Sequence, residues 1–485
     1  MKDTVTDIKR PLCVDLDGSL LATDMLWETL LKLLRTKPWY VFYLPFWVLK
    51  GKALFKRQIA RLVEINPNCL PFREDIVSYV NQEKATGRQI ILTTASDALV
   101  ADKIAQHLNL FSAVLASDGE TNLSGTKKLH ALTDHVGSTD FDYIGNGGVD
   151  LPIWKATGSA FVVAPSQKLM KQARQVSTNI KTFSDAGKNS FVVFFKALRV
   201  HQWVKNILIF VPLLLAHKVT SLQLWLQGLL AFCAFSLCAS SIYIINDLMD
   251  LESDRQHPKK RNRPFAAGTL PIQTGLFFVP FLLGLSFLIS VSFLPILFTA
   301  ALGLYVGLTS AYSFYLKRVV IVDVLILAGL YTFRILSGGV ALNIDITTWL
   351  LAFSMFFFLS LAFVKRYSEL RLIQNLEQNH NKGRGYSMVD KEVLRSVGPA
   401  SGYLSVLVLA LYINSEEVVK LYKSPATLWL IGPFLLYWIT RVWFLAHRGV
   451  MDDDPIVFTV RDPKSYFVGA IILVILIIAS KFPIF

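Results

Sequence analysis

NDLMDLESDRQHPKKRNRPFAAG, residues 246–268, follows a long apolar run and holds Asn246, Asp247, Asp250 and Asp254 at helical spacing. On a helix this spacing places the four side chains on one face. Carboxylates beside hydrocarbon are costly and usually functional, and several that converge repel one another unless a cation joins them. Hard oxygen ligands suit Mg²⁺, which usually stays bridged to substrate phosphates. The stretch therefore predicts a site for Mg²⁺ and a diphosphate, with a solvated acidic loop as the alternative.

Basic residues follow these acids directly. After Arg255 come Lys260, Arg261 and Arg263, which supply the charge-assisted donors that phosphate groups need. The alternative is that the cluster only orients the chain in a membrane. The two roles are compatible with each other.

The chain joins two unlike parts. Its 485 residues are 53% hydrophobic with a mean hydropathy of +0.46, which favours a membrane protein. Residues 1–190 resemble a soluble domain, whereas residues 191–485 hold apolar blocks of the length that spans a bilayer. Nine transmembrane helices are predicted, near residues 205–219, 224–245, 273–293, 295–315, 319–340, 347–364, 398–414, 426–446 and 466–484.

Most of the net charge of +14 lies in the loops between the apolar blocks. Loop 246–272 and loop 365–397, which includes Lys382 and Arg384, are the most basic, so the positive-inside rule places both in the cytoplasm. Met1–Arg10 is polar, and we expect no signal peptide and a cytoplasmic N-terminal domain. This distribution argues against nucleic acid as a partner.

Other polar residues lie in or beside the apolar blocks. Asp323 sits in an otherwise apolar run and is a candidate second metal ligand, and Arg334 could hold phosphate. Tyr312 and Lys317 precede them. Lys205, at the start of the first span, is either a phosphate ligand or a snorkelling anchor.

Five stretches of the membrane part together resemble the UbiA-type intramembrane prenyltransferases, and more closely their decaprenyl-phosphate phosphoribosyltransferase-like branch. They cover about residues 196–485: LRVHQWVKN (198–206), the opening stretch (246–268), YSFYLKR (312–318), FVKRYSEL (363–370) and DDPIVFTVRDPKS (453–465). The resemblance implies a bacterial inner-membrane, multi-pass enzyme with an all-α bundle of about nine helices. It also implies roles for single residues. Mg²⁺ is held by Asp247, Asp250 and Asp254, with help from Asn246. Phosphates are bound by Lys260, Arg261 and Arg263, and the other side of the site is closed by Tyr312, Lys317 and Asp323.

The same resemblance implies a reaction between two phosphorylated substrates. The phosphate of a polyprenyl phosphate attacks C1 of phosphoribosyl diphosphate, and diphosphate leaves. Members that use prenyl diphosphates carry a second Asp-x-x-x-Asp, but here Leu327 stands four places after Asp323. This departure weakens the alternative, transfer of a polyprenyl group to an aromatic or lipid acceptor. A transporter or scaffold is a third interpretation, but it leaves the acids unexplained.

The N-terminal part carries four ordered motifs. Asp15-Leu16-Asp17 ends a buried apolar run, Thr94 ends a second, Lys127 and Lys128 follow Gly125, and Asp150 closes a Gly-rich turn. Residues of these types in this order predict a site at the carboxyl edge of a parallel sheet.

These motifs resemble the haloacid dehalogenase-like phosphatases over about residues 9–180, which implies a Rossmann-like α/β fold with a helical cap at about 20–85. The implied roles are nucleophile for Asp15, acid/base for Asp17, phosphoryl binding for Thr94 and charge balance for Lys128. Mg²⁺ would bind Asp15, the Asp17 carbonyl and Asp150. The family's last motif usually begins Gly-Asp, but here it begins Gly145-Asn146, so a degenerate domain is the alternative.

Two further expectations concern the N-terminal part. Met25–Lys52 is rich in Trp, Tyr, Phe and basic residues, which favours an interfacial hairpin over an apolar cap packed inside the domain. The fusion itself suggests that the phosphatase removes the 5-phosphate from the lipid-linked ribose that the membrane part makes.

Overall fold

The computed structural model describes residues 9–184, 190–375, 385–451 and 454–483. Lys382, Arg384 and Asp453, which belong to predicted loops and motifs, lie outside the described residues. The described chain forms an α/β domain and then a long series of helices, as the sequence predicts.

An entirely parallel sheet organises the described N-terminal residues 9–184. Its order is β3-β2-β1-β4-β5-β6. Successive strands are therefore added toward one edge of the sheet from β1 to β3 and toward the other edge from β4 to β6. At such a switch point the loops at the carboxyl ends of the strands diverge and leave a crevice for a ligand. The strands are β1 (Leu12–Asp15), β2 (Ile90–Asp97), β3 (Ala113–Ser117), β4 (Asp142–Gly145), β5 (Ser159–Val163) and β6 (Ile180–Phe183).

Burial explains why these short runs form central strands. Every residue of β1, β4 and β5 is buried, because helices cover both faces of the sheet. The first four helices fill the predicted cap region between β1 and β2, and four more follow later strands. They are α1 (Met25–Thr36), α2 (Leu44–Leu49), α3 (Lys52–Leu62), α4 (Glu74–Ala85), α5 (Ala98–Leu108), α6 (Thr126–Val136), α7 (Leu151–Ala156) and α8 (Gln167–Val176).

The cap helices have a small core of their own. Asp24 caps α1 by accepting a hydrogen bond from the backbone N–H of Leu26, which satisfies one of the free donors at a helix start. Leu30 and Leu33 of α1 then pack with Ile59 and Val63. The cap is therefore held by its own apolar contacts as well as by the sheet.

The aromatic segment 37–50 is exposed along much of its length. Phe42, Phe46 and Leu49 retain 75%, 64% and 85% of their accessible surface. The alternative of an apolar segment packed wholly inside the domain is therefore wrong for this outward side.

From residue 190 onward the described elements are helical. The sequence forms α9 (Ser190–Ala197), a 3-10 stretch (Val200–Phe210), α10 (Val211–Leu215), α11 (Leu222–Met249), α12 (Leu251–Gln256), α13 (Ile272–Phe293), α14 (Ile296–Phe314), α15 (Val322–Leu342), α16 (Thr348–Asn375), α17 (Asp390–Ile413), α18 (Glu416–Leu421), a 3-10 turn (Pro425–Leu430), α19 (Ile431–Arg448), α20 (Pro455–Thr459) and α21 (Pro463–Lys481).

Eight of the described helical segments are long and apolar enough to cross a membrane, and a bent pair over Phe191–Ala197 and Val200–Leu215 would make nine. The predicted span at 205–219 is the least regular. Pro212, at the start of α10, cannot donate to a helix, and the residues before it form a 3-10 stretch.

Close packing inside the bundle depends on small residues. A Cβ atom on Gly338 of α15 would lie 2.2 Å from the carbonyl oxygen of Ile209, and one on Gly398 of α17 would lie 2.0 Å from the Trp443 ring. Helices in lipid associate by such close approach, because hydrocarbon gives them no hydrophobic drive to do so.

The chain divides into two compact units. One contains residues 1–198 together with Ile244–Val279, and the other contains Arg199–Tyr243 together with Pro280–Phe485. The predicted domains, 1–190 and 191–485, differ from this division at the acidic and basic stretch. That stretch is held to the N-terminal domain by ion pairs such as Arg255 with Glu28. It also approaches the domain closely at Gly268, where an added Cβ atom would lie 2.6 Å from the carbonyl oxygen of Ala22.

Candidate functional sites

The first cluster brings two of the predicted acids together on one cation. Nη1 of Arg263 lies 3.0 Å from Oδ1 of Asp247 and 2.6 Å from Oδ2 of Asp254. Both carboxylates are buried. Burial raises the pKa of Asp254, although the Arg263 guanidinium opposes that shift. Asp247 and Asp254 therefore converge on a point where a positive charge is required.

Asp250 does not join that point. Helix α11 ends at Met249 and α12 begins at Leu251, with Asp250 at the break between them. Its carboxylate lies 3.9 Å from the guanidinium of Arg35 at the end of α1. Of the predicted acids, the structure thus brings Asp247 and Asp254 together on Arg263 and places Asp250 beside Arg35, and the predicted metal role of Asp250 stays a prediction.

Arg255 holds the cap instead of facing a phosphate. Its guanidinium lies 2.5 Å from Oε1 and 3.1 Å from Oε2 of Glu28 in α1, and the two side chains retain only 9% and 10% of their accessible surface. It also donates to the carbonyl oxygens of Ala266 and Cys69. Lys32 and Glu252 form a second, more exposed pair between the same helices at 3.0 Å. Of the predicted phosphate ligands nearby, Lys260 is half-buried and Arg261 is exposed.

Asp323 lies in a saturated polar network in the second unit. It forms a buried ion pair with Arg366 and accepts a hydrogen bond from the Tyr386 hydroxyl at 2.6 Å. Arg366 also donates to the hydroxyl of Tyr312 at 2.8 Å. The predicted residues Tyr312 and Asp323 are thus brought together, and Lys317 follows in a 3-10 turn (Leu316–Arg318). Asp323 is engaged by a guanidinium, which does not favour its predicted role as a metal ligand.

Lys205 has a partner that the sequence did not single out. Its ammonium pairs with Asp454, and the ammonium of Lys365 lies 3.8 Å from the same carboxylate. Burial raises the pKa of Asp454, but the two lysines outweigh it and bring the value down to about 2. The snorkelling alternative for Lys205 does not describe this buried contact. The available signal was Asp454 within the quoted stretch DDPIVFTVRDPKS.

Arg334 is built into the packing of the second unit. It donates to Asn206 at 2.9 Å, to the Leu330 carbonyl at 2.5 Å and to the Tyr305 hydroxyl at 3.2 Å. Its guanidinium also lies over the ring of Tyr331. These contacts commit its donors to protein groups, so the predicted phosphate role has no direct support here.

The N-terminal cluster lies at the carboxyl ends of β1 and β4. Lys128 donates to Oδ1 of Asp15 at 2.7 Å, and both side chains are buried, whereas Lys127 is exposed. Burial raises the pKa of Asp15 to about 7, with Lys128 acting in the opposite direction. Burial also lowers the pKa of Lys128, but its acidic neighbours leave it above the ordinary value.

Asp17 is oriented by three donors. Its Oδ2 accepts from the hydroxyls of Thr94 at 3.1 Å and Ser96 at 2.7 Å, and its Oδ1 accepts from the backbone N–H of Met25 at 2.8 Å. Met25 is the first residue of α1, so the start of the cap helix is tied to this carboxylate. Ser96 was not predicted, although it stands two places after Thr94.

Asp150 organises the loop after β4. Its Oδ2 accepts from the backbone N–H groups of Asn146 and Gly147, and its Oδ1 accepts from the Tyr143 hydroxyl at 3.0 Å. That hydroxyl also accepts from Lys128 at 3.2 Å. The amide of Asn146 packs directly against Gly18, where a Cβ would lie 2.0 Å from it.

Comparison with known proteins identifies the helical part. The model of the UbiA prenyltransferase family matches residues 206–460, more than half of the chain. This chain belongs to the UbiA prenyltransferase family. It is a multi-pass membrane transferase, consistent with its apolar helices. The clusters around Asp247 and Lys205 are candidate sites within that family.

Three relatives differ in how much they share with this UbiA-family chain. An uncharacterized protein of Sinorhizobium fredii, y4nM, is 36% identical over 469 residues, 96% of this chain and 90% of its own. The nodulation protein NoeC of Azorhizobium caulinodans is 36% identical over 286 residues, 58% of this chain and 91% of its own. The decaprenyl-phosphate phosphoribosyltransferase of Corynebacterium glutamicum is 36% identical over 190 residues, 38% of this chain and 57% of its own.

A solved structure of a UbiA homologue from Archaeoglobus fulgidus, bound to GPP and Mg²⁺, aligns with a TM-score of 0.45. The identity is 14%, over 60% of this chain and 99% of that one.

The donor groups themselves decide which of the predicted sites fits a metal ion. Among the described residues, no three His, Cys, Asp or Glu side chains converge on one position. Asp247 and Asp254 nevertheless fit a magnesium site, because Mg²⁺ is commonly held by one or two carboxylates with substrate phosphates completing its shell. The predicted set of Asp15, Asp17 and Asp150 fits less well, since Asp150 already accepts three hydrogen bonds from its own loop and Tyr143.

Removing Arg263 tests whether the two carboxylates form a cation site. We expect Arg263→Ala to lower the melting temperature in EDTA, because two buried carboxylates lose their shared donor at a cost of about 1–3 kcal/mol. Mg²⁺ should restore more stability to this variant than to the wild type. The melting temperature of detergent-solubilised protein with EDTA and with Mg²⁺ measures both effects.

Arg261→Ala is the matched control, since it removes the same charge from an exposed position two residues away. It should melt like the wild type in both conditions. If Mg²⁺ stabilises Arg263→Ala no more than Arg261→Ala, Asp247 and Asp254 do not form a cation site.

Proposed function

We propose that this protein transfers 5-phosphoribose from phosphoribosyl diphosphate to a polyprenyl phosphate, with Mg²⁺, at the cytoplasmic face of a bacterial inner membrane. The observation that carries the proposal is the 36% identity, over 190 residues of this UbiA-family chain, to a decaprenyl-phosphate phosphoribosyltransferase. The network around Asp323 supports it. With Arg366 on Asp323 and Leu327 in the next acidic position, the described chain presents a single acidic pair for diphosphate, at Asp247 and Asp254.

The proposed transfer breaks one bond and forms one. An oxygen of the polyprenyl phosphate attacks C1 of the ribose, and the bond from C1 to the diphosphate oxygen breaks with its electron pair leaving on diphosphate. The acceptor phosphate is already a nucleophile near neutral pH, so no strong base is required. Bound Mg²⁺ would offset the charge that builds on the leaving group.

The protein groups supply position and charge for this step. Asp247 and Asp254 would hold the cation, and Arg263, which pairs with both carboxylates when no cation is bound, would then be free to donate to a diphosphate oxygen. Lys260 and Arg261 follow on the same loop. In the second unit Lys205 and Lys365 share Asp454, so a substrate phosphate there would compete with a carboxylate for two ammonium groups.

The second candidate is transfer of a polyprenyl group from its diphosphate to an aromatic or lipid acceptor. Membership of a prenyltransferase family favours this candidate. It requires the same acidic pair but a different donor, so the donor decides between the two candidates.

A donor screen tests the choice. Purified protein with a polyprenyl phosphate, Mg²⁺ and labelled phosphoribosyl diphosphate should form a labelled lipid and release diphosphate, and EDTA should stop the reaction. Asp247→Asn should lower the rate by ~10²-fold or more, because a group that stabilises developing charge is lost. Thin-layer separation of the labelled lipid measures the product.

Glu252→Gln serves as the control, since Glu252 is an acid of α12, the helix that carries Asp254, and its described partner is Lys32 rather than Arg263. It should keep most of the activity. Turnover of geranylgeranyl diphosphate alone, with none of phosphoribosyl diphosphate, would establish the second candidate instead.

We also propose that the N-terminal domain is a haloacid dehalogenase-like phosphatase that removes the 5-phosphate from the lipid-linked ribose. Asp15 attacks the phosphorus, the bond from phosphorus to the ribose O5 breaks, and Asp17 gives its proton to that oxygen. Water then attacks the aspartyl phosphate, Asp17 takes a proton from it, and Asp15 and inorganic phosphate are released. The ion pair with Lys128 and the donors on Asp17 support these roles.

The proposed mechanism uses Asp15 and Asp17, so it does not require an acid at the position of Asn146. Asn146 supplies an amide where the family has an acid, and its amide packs against Gly18 beside Asp15 and Asp17. The change takes one negative charge from the neighbourhood of Asp15. If a metal acts in this domain, Asp15 and the Asp17 carbonyl would be its protein ligands.

The two steps should be separable by one substitution. With polyprenyl phosphate and labelled phosphoribosyl diphosphate, the wild type should give both the phosphorylated and the dephosphorylated lipid-linked ribose. Asp15→Asn should give the phosphorylated product alone, at an unchanged rate of transfer, because only the nucleophile of the second step is lost. The same product mixture from Asp15→Asn and from the wild type would end the proposal of consecutive steps.

Lys128 gives a pH test of the nucleophile. Asp15 must be ionised to attack, so with its pKa raised to about 7 the phosphatase rate should fall as the pH drops through that value. Lys128→Met removes the charge that holds this pKa down, and the acidic limb should move upward by about 1–3 pH units. Phosphate release from a sugar phosphate, measured against pH, reports the shift.

Lys127→Met is the matched control, because Lys127 is the exposed neighbour of the buried Lys128. Its pH profile should follow that of the wild type. An acidic limb that stays in place in Lys128→Met would show that Asp15 is not the titrating nucleophile.

A further inference from the structure

The segment 37–50 of the cap has two distinct sides. Tyr40, Leu44 and Trp47 turn inward and pack against the buried cap core of Leu30, Leu33, Ile59 and Val63. Phe42, Phe46 and Leu49 repeat the same spacing on the other side and are exposed. Spacings of three and four residues mark the two faces of a helical segment. The inward ring contacts, such as Tyr40 to Trp47 at 5.8 Å, fix which face is presented outward.

The exposed face is larger than a soluble domain normally leaves open. Trp39, Val41, Tyr43 and Val48 are also exposed in the same fourteen-residue segment, at 61%, 45%, 54% and 56%. Single exposed apolar residues are ordinary, but a contiguous aromatic patch of this kind marks a binding surface. In the described chain this patch is the densest group of exposed aromatic side chains on the N-terminal domain.

The charge around the patch selects the partner. From Thr29 to Val63 the sequence contains no Asp or Glu. Of the basic residues in this range, Lys32, Arg35 and Arg57 pair with acids of other elements, whereas Lys50 and Lys52 are exposed beside the patch. Aromatic side chains with a basic rim match the headgroup region of an anionic leaflet, where the rings enter the interface and the ammonium groups meet lipid phosphates. A water-soluble acidic partner would not need the apolar face.

The cap is also held to a segment that leaves the membrane. Helix α1, which leads directly into segment 37–50, pairs with α12 through Glu28 and Arg255 and through Lys32 and Glu252. Helix α12 begins two residues after the end of α11, one of the helices that can span a bilayer. The apolar face therefore belongs to a domain that is tethered close to a bilayer surface.

We propose that the outward face of segment 37–50, formed by Phe42, Phe46 and Leu49 with Lys50 and Lys52 at its rim, inserts into the anionic cytoplasmic leaflet. The face is a peripheral membrane anchor of the N-terminal domain. This inference does not depend on which substrate the transferase uses. It gives the cap a second attachment besides its ion pairs with α12.

The test uses spin labels on the full-length protein in vesicles. Phe42→Cys and Phe46→Cys are labelled, and Gln82→Cys, on the exposed side of α4, is the control. Because the native cysteines are buried or half-buried, labelled wild type gives the background. Vesicles contain phosphatidylcholine with about 30% phosphatidylglycerol, to supply the anionic charge.

Insertion predicts high accessibility to oxygen and low accessibility to a water-soluble nickel complex at positions 42 and 46, with the reverse at position 82. Nickel accessibilities at 42 and 46 equal to that at 82 would overturn the proposal. So would dipolar broadening between labels at position 46, which would show that a second copy covers the face.

The basic rim is tested separately. Lys50→Glu combined with Lys52→Glu should make the label at position 46 several-fold more accessible to nickel in anionic vesicles and change it little in pure phosphatidylcholine. Lys84→Glu, outside the segment on α4, should have no effect on the label. Equal responses to the double variant in both lipids would exclude the electrostatic part of the anchor.

Discussion

The arrangement of the first unit depends on the buried ion pair between Arg255 and Glu28. Two buried charges are tolerated only when they are paired and fully hydrogen-bonded, and removing one partner costs far more than the pair contributes. Arg255 meets this condition by donating to Glu28 and to two carbonyl oxygens. The pair therefore specifies one docking geometry for the cap, and that geometry fixes the surroundings of Asp250 and Asp247, which precede Arg255 by five and eight residues.

Helix α1, which carries Glu28 of this pair, also contacts groups of both proposed active sites. Helix α1 starts at Met25, whose backbone N–H donates to Asp17, and it carries Glu28 on its first turn and Arg35 on its last. A shift of α1 would move the donor on the proposed acid/base and the arginine beside Asp250 together. In the proposed sequence of two reactions, α1 would therefore keep the two proposed phosphate sites of this unit in a fixed relation.

Buried charges in the second unit follow the same rule in a less polar setting. Asp323 with Arg366, and Asp454 with Lys205 and Lys365, leave no described carboxylate of these networks without a cation. An unpaired charge beside hydrocarbon is expensive, so each of these carboxylates is paired with at least one cationic side chain. The ion pair of Asp323 in α15 with Arg366 in α16, together with the hydrogen bond from Tyr386, fixes the packing of these two helices.

The sequence alone did not place the end of β2, which continues past Thr94 to Asp97, or the bounds of α16 and α17. It did determine the two-part architecture, the positions of the other membrane helices within a few residues and the strand end at Asp15. These follow from local patterns, because hydrophobic length and short apolar runs need no knowledge of distant residues. Tertiary structure decided the partners: Arg255 meets Glu28, Arg263 joins Asp247 to Asp254, Arg366 takes Asp323, and Lys205 meets Asp454. Those pairs connect residues up to 249 positions apart, and only the folded chain determines which charge a buried group must meet.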